Sequence, residues 1–546
     1  MERLPMADTA TFDSFARDNL PPRDQWPDLL LRDLQYPDQL NCVTELLDSH
    51  IAAGNGTRPC VRSPLETWTY ADLAARVNRI ANVLTTQLGM IPGNRVLLRA
   101  PNTPMMVATY LAVIKAGGIA VATMPLLRVR ELGAIIDKAR INLALCDNHL
   151  LTDLETAAKT RAAFRIIPWG GTLANDLLAM MQTVSADFPA YPTRADDTCL
   201  IAFTSGTTGE PKGTMHFHRD MLATCDTYGA HVLCAQPDDI FIGSPPIAFT
   251  FGLGAAVLFP LRIGASTILL EQPSPDNLLG AIRSLKPTIC FTAPTAYRAM
   301  LGKLRPGDIA SLRICVSAGE TLPKPTWDAW YAATGQKILD GIGSTEMLHI
   351  FIGAPMDKVR PGATGIPVPG YEAKLIDDDG NDLPRGSTGR LAVRGPTGCR
   401  YLADPRQEQY VQNGWNVTGD TYRQDADGYF WYQARSDDMI IASGYNISGP
   451  EVEVALLTHP AVAECGVVAA ADADRGMLVK AYVVLRDPNA ASPEMVRTLQ
   501  DHVKAEIAPY KYPRAIEFVA ALPRTGTGKL QRFVLREQAA NKQRTS

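Results

Sequence analysis

The chain has 546 residues, a length that suits three or four domains with large buried cores and a cleft between them. Apolar residues make up 46% and charged residues 20%, which excludes a fibrous repeat and wholesale disorder. Lys plus Arg number 53 against 57 Asp plus Glu, a net charge of −4 with no block of one sign, so the composition gives nucleic acid no electrostatic footprint.

The first 26 residues, MERLPMADTATFDSFARDNLPPRDQW, carry acids and arginines where a signal peptide needs an apolar core, and no export signal is expected. From residue 69 to 346, helical patterns alternate with short apolar strands: ADLAARVNRIANVLTTQ before RVLL, PMMVATYLAVIKAGG before IAVAT, NLLGAIRSLKP before TICFT, TWDAWYAATG before KILD. That alternation predicts βαβ units and parallel sheets, an α/β fold. The most apolar window, residues 252–270, is interrupted by Gly254, Pro260, Arg262 and Gly264, so it reads as strands and turns rather than a membrane span. Between residues 371 and 436 the texture changes to short strands, EAKLI, GRLAVRG and YFWYQ, separated by the hairpin signals DDGN at 378–381 and DG at 427–428. This is a predicted β-rich subdomain. Residues 437–546 hold helix EVEVALLTH, strands ECGVVAAA and KAYVVLR, and an amphipathic helix near 495–507, enough for a small α+β domain. The expected division is a large N-terminal domain over 1–436 and a small C-terminal domain over 437–546.

The ten cysteines include no C-x-x-C pair, which fits reduced, buried thiols and a cytoplasmic setting better than a disulfide framework. His216 and His218 have no third ligand at zinc-like spacing, so a local structural role is expected. Ser205 lacks a G-x-S-x-G elbow, and a hydrolase triad is rejected.

The most informative segment is TSGTTGEPKG at 204–213, directly after the apolar strand CLIAF. Glycines let the backbone approach a ligand, hydroxyls offer donors, and Lys212 adds positive charge, parts that suit a polyphosphate. It is not a Walker loop, since neither Lys212 nor Lys529 completes G-x-x-x-x-G-K-[ST]. Further motifs follow in order: GIGSTE at 341–346, NVTGD at 416–420, ARSDDMIIASG at 434–444 and PRTGTGK at 523–529.

These five motifs resemble the adenylate-forming superfamily of acyl-CoA synthetases, peptide-synthetase adenylation domains and luciferases. The resemblance implies a large AMP-binding domain followed by a small mobile one, and chemistry on ATP with Mg²⁺ and coenzyme A. It implies that Lys529, Thr204 and Lys212 act at the reacting phosphate, and that Ser205, Gly206, Thr207, Thr208 and Gly209 cradle the polyphosphate. Ala318, Gly319, Glu320, Asp340, Gly341, Ile342 and Thr345 would face the nucleotide base and its neighbours. Ile342 stands where many members carry an aromatic residue, so the adenine contact would be aliphatic. Asp420 would hold the ribose, Arg435 would meet the nucleotide, Gly444 would line a thiol tunnel, Glu346 would hold the magnesium, and Asp437 would be the hinge on which the small domain turns between two half-reactions.

The segment PPIAFTFG at 245–252 holds no acid for an amino-acid ammonium, which argues against an amino-acid substrate and leaves free CoA as the more plausible acceptor. LDGIGSTEMLHIF at 339–351 and FTFGLG resemble the benzoate-CoA ligase branch, and FARDNLPPRDQWPD resembles 2-aminobenzoate-CoA ligases within it. The aryl pocket implied comprises Thr250, Phe251, Gly252, Gly343, His349 and Ile350. Thr250 and Phe251 depart from the Ala and Tyr more often found there. The expected function is an aryl carboxylate-CoA ligase for benzoate or 2-aminobenzoate. The alternatives are an acyl-AMP or fatty-acyl-CoA ligase and, from another class, a non-catalytic nucleotide-binding module. No membrane partner is expected, and a homodimer is left open.

Overall fold

The computed structural model describes residues 9–171, 176–204, 211–435, 440–442, 445–472, 476–507, 509–524 and 530–544. Two sheets organise the large domain. Among the described residues one has six strands, in the order Arg165–Trp169, Leu143–Asp147, Arg95–Arg99, Ile119–Thr123, Thr198–Thr204, Lys212–Phe217. Its first five strands run parallel and the last turns back antiparallel on Thr198–Thr204. RVLLR and IAVAT are buried at every position, the reason they read as unbroken apolar runs rather than alternating ones. Arg99 is tolerated inside because its guanidinium donates to the carbonyls of Met124, Pro125 and Leu127.

The second sheet has nine described strands and a parallel centre in which Ile240–Gly243, Ile289–Thr292, Ile314–Ser317 and Ile338–Gly343 lie side by side. Ile350–Gly353 then folds back antiparallel on Ile338–Gly343, with a register shift between Ile342 and Gly343. Ligand sites in such sheets form beyond the carboxyl ends of parallel strands. Thr204, Ser317 and Gly343 are each the last residue of such a strand.

Residues 252–270 differ from the expectation of strands and turns. Helix Thr250–Leu253 runs into a π-turn, Gly254–Leu258, and a further helical turn, Phe259–Arg262, before the strand Ser266–Ile268. Pro260 is accommodated in the first turn after the π segment. The helix is buried almost all round, so no helical contrast between faces marked it in the sequence. No helix among the described residues is long and apolar enough to cross a membrane.

The β-rich subdomain forms as expected. Glu372–Ile376 pairs antiparallel with Thr388–Arg394 beyond the DDGN turn, and Trp415–Gln424 pairs with Phe430–Arg435 around Gly428, whose φ of 92° requires a residue free of a Cβ penalty. The small domain packs helices Gly449–Leu457 and Pro493–Glu506 against strands Val462–Asp472, Gly476–Leu485 and Ala515–Phe518, over its own core of Val452, Leu456, Val467, Val483 and Leu499. The boundary expected at Asp437 lies outside the described residues. All ten cysteines are free, and Cys234 alone is exposed.

Candidate active site

The loop expected to cradle phosphates, with Ser205, Gly206, Thr207, Thr208 and Gly209, lies outside the described residues, but both of its ends are fixed. Thr204 and Lys212 face one another across the antiparallel pair. The other edge of Lys212–Phe217 is met by residues 400–402: the Met215 N–H donates to the Arg400 carbonyl at 2.8 Å, and the Leu402 N–H to the Gly213 carbonyl at 2.8 Å. Arg400 is wholly buried and ion-paired with Asp220. Burial alone would push the Asp220 carboxyl up, but Arg400, then His216 and Arg219, hold it below the usual carboxylate range.

This stitching places Tyr401 beside the strand Lys212–Phe217. The Lys212 ammonium lies 5.3 Å from the centre of the Tyr401 ring, and the Tyr401 hydroxyl donates to Glu346 Oε1 at 2.5 Å. Burial, then the Glu346 charge, push the phenol far above its ordinary range, so it remains a donor. His216 ties the two sheets together, its Nε2 lying 2.8 Å from the carbonyl of Thr345. His218 accepts the Cys42 N–H on Nδ1 at 3.2 Å; Cys42, Cys199 and His218 offer atoms within 4.8 Å of one another, all in the core. The local structural role expected for both histidines fits these contacts.

On the side expected to face the base, Ser317 and Asp340 are register partners, which brings Ala318, Gly319 and Glu320 alongside Gly341 and Ile342. Gly341 has no room for a side chain: a Cβ there would lie 2.8 Å from Ile350 Cγ2. Burial drives the Asp340 carboxyl well above the usual range, and its Oδ1 has no hydrogen-bond partner. Asp420, buried at 8% exposure, faces Arg435 in register across the β-rich subdomain. The side chain of Arg435 lies outside the described residues, as do Lys529, Asp437 and Gly444.

Downstream of Glu346 the chain turns sharply. Leu348 is buried with a φ of 67°, a left-handed conformation that is strained for a branched side chain, and it sits immediately before His349. The His349 ring packs edge-on to Phe259 at 4.6 Å between centroids, with Phe251 at 5.6 Å and Tyr228 at 5.3 Å. Phe251 also meets Phe291 edge-on at 5.8 Å. Burial lowers the His349 pKa to about 3 against a weaker opposing pull from the Phe251 backbone, so the ring is neutral. Thr250 opens the helix beneath, Gly252 presses on Pro246, where a Cβ would fall 2.0 Å from the carbonyl oxygen, and Ile350 is buried.

The structure therefore links Thr204 to Lys212 in register, Lys212 to Tyr401, Tyr401 to Glu346 and His216 to Thr345, while His349, three residues beyond Glu346, packs in an aromatic cluster with Phe251. Tyr401, Tyr228, Phe259 and Phe291 were not found from the sequence.

The description "AMP-binding enzyme" fits residues 49–401 and "AMP-binding enzyme C-terminal domain" fits residues 451–529. The chain is 38% identical to the benzoate–CoA ligase of Thauera aromatica over 92% of its own length and 97% of that protein. The crystal structure of the anthranilate CoA ligase AuaEII with anthranoyl-AMP superposes with a TM-score of 0.89 at 35% identity, covering 93% of this chain and 99% of that one. A benzoate CoA ligase from Burkholderia xenovorans LB400 superposes with a TM-score of 0.84 at 32% identity, covering 91% and 100%. With both family regions matched in order and relatives of this identity spanning nearly its whole length, the chain belongs to the AMP-binding enzyme family.

Proposed function

We propose that this chain is an ATP-dependent aryl carboxylate–CoA ligase acting on benzoate or 2-aminobenzoate. The observation that carries the reading is the aromatic cluster of Phe251, Phe259, Phe291 and neutral His349, with His349 three residues along the chain from Glu346. Flat walls give a planar ring close contact on its faces, whereas a fatty chain needs a long tunnel. The relatives named for benzoate and anthranilate support the same substrate class.

In the first half-reaction a carboxylate oxygen of the acid attacks the α-phosphorus of ATP, the bond to the β-phosphate oxygen breaks, and pyrophosphate leaves. Catalysis of such a displacement is mainly positioning and charge neutralisation. Lys212 and the donors of Thr204 and the loop after it hold phosphate oxygens, Asp420 accepts from the ribose hydroxyls, and Lys529 stabilises charge developing on the acyl phosphate. Glu346 suits Mg²⁺: among the described residues no Lys or Arg pairs with it, and its side chain accepts from the neutral Tyr401 hydroxyl. When bound with ATP, the ion supplies further neutralisation of the phosphates. In the second half-reaction the CoA sulfur attacks the acyl carbonyl carbon, its thiol proton is lost, and AMP leaves. Asp437 and Gly444 serve the domain rotation and the thiol path for that step.

The test is ATP–pyrophosphate exchange with benzoate and 2-aminobenzoate in the absence of CoA, followed by thioester formation when CoA is added. Absence of exchange with every aryl acid overturns the reading. Lys529→Ala should slow adenylation by about 10²-fold while largely sparing thioester formation from supplied aryl-AMP.

A further inference from the structure

Wherever the walls of the niche need only apolar bulk, the sequence supplies phenylalanine: Phe251, Phe259 and Phe291. Tyr228 breaks the pattern. Its ring lies 5.3 Å from His349 and 5.7 Å from Phe259, and it is about 1% exposed. Its hydroxyl has no hydrogen-bond partner, and neither nitrogen of the equally buried His349 makes a well-formed one. Buried polar groups are nearly always satisfied, and orphans call for an explanation. A phenylalanine at 228 would fill almost the same volume without an orphaned hydroxyl, so the oxygen costs stability unless something outside the chain meets it. An orphaned hydroxyl in the wall beside His349 marks a position for a polar atom: the phenol can donate or accept, and the neutral imidazole whose ring packs against it has one nitrogen of each kind.

We propose that Tyr228, with His349 beside it, recognises a hydroxyl or amino substituent on the aryl ring, making a substituted benzoate rather than benzoate the preferred acid. This rests on the aryl-acid reading above. A site built to hydrogen-bond a substituent discriminates against the analogue that lacks it, because its own polar groups are then left unpaired in a dry wall. The two hydroxyl groups sit on different elements: Thr250 is the first residue of the helix Thr250–Leu253, while the Tyr228 ring packs against His349.

The experiment measures kcat/KM for thioester formation by wild type and Tyr228→Phe with benzoate and its 2-, 3- and 4-hydroxy and amino derivatives. For the substituted acid that wild type prefers, the ratio of its kcat/KM to that of benzoate is expected to fall about tenfold in the variant, the scale of one hydrogen bond. An unchanged ratio, including equal losses on all acids, overturns the proposal and makes Tyr228 a wall. The melting temperature of the free proteins gives a second readout. It should hold or rise in Tyr228→Phe, and a clear fall would mean that the hydroxyl has an internal partner such as a trapped water, which also overturns it. Wild type that converts no aryl acid would refute the ligase reading itself, an outcome distinct from any change in ratio.

Discussion

The Tyr401 hydroxyl donates to Glu346 Oε1 at 2.5 Å, joining the segment beside the phosphate strand to the acid that closes the GIGSTE motif. The bond fixes one carboxylate oxygen and leaves the group's negative charge intact. Tyr401→Phe should therefore slow ATP–pyrophosphate exchange by about tenfold and raise the Mg²⁺ concentration needed for half-maximal rate. Glu346→Gln, which removes the charge, should cost on the order of 10²-fold. A magnesium titration of the exchange reaction checks both.

Asp220 and Arg400 form a pair with no exposure on either side chain. Asp220→Asn leaves the guanidinium buried without its counter-charge, and stability should fall by about 3–5 kcal/mol. The double variant with Arg400→Met should recover much of that loss, since an apolar side chain of similar length needs no partner. Chemical denaturation of the three variants measures the coupling, and exchange activity should follow stability because Arg400 is the neighbour of Tyr401.

His349 gives a pH signature. An unfolded imidazole titrates near 6.5, whereas burial holds this one at about 3. Between those values the unfolded chain binds the extra proton, so the fold is most stable above about pH 6.5 and loses stability as pH falls. At pH 5 the loss from this residue is about 2 kcal/mol. The stability difference between wild type and His349→Met should shift by that amount between pH 7 and pH 5 in urea unfolding.

Gly254→Ala pits two effects against each other. Alanine in a helix gains about 1 kcal/mol over glycine. Here the added Cβ would lie 2.3 Å from His349 Cδ2, in a ring already held by Phe259, and overpacking costs about 1–3 kcal/mol. The clash should win: a lower melting temperature, and a KM for the aryl acid raised several-fold more than the KM for ATP.

The alternation of helix and strand was legible because parallel strands buried on both faces, such as RVLLR and IAVAT, read as solid apolar runs. The residues that suggest a phosphate loop are consecutive, so that expectation could be formed from the sequence, and most of the loop lies outside the described residues. The Tyr401–Glu346 bond spans 55 positions, and the partner of the phosphate strand near Gly213 is Leu402, so neither leaves a local pattern. Tyr228 was hidden for the same reason: its neighbours His349 and Phe259 come from other segments, and only an orphaned hydroxyl in the folded wall distinguishes it from packing. In residues 252–270 glycine and proline suggested breaks, yet the helix absorbs them with a π-turn because its neighbours, not its own periodicity, bury it.

The suture between Lys212–Phe217 and residues 400–402 also sets where the gene can be cut. A fragment ending before residue 400 would leave Lys212–Phe217 as a bare sheet edge and strip Asp220 of its wholly buried partner Arg400. Such a fragment would be prone to self-association however much of the parallel sheet it retained. A split-protein reporter or domain exchange based on this chain must therefore carry residues 212–217 and 400–402 on the same piece, and the hairpin turns at 378–381 and 427–428 are the natural places to insert foreign sequence.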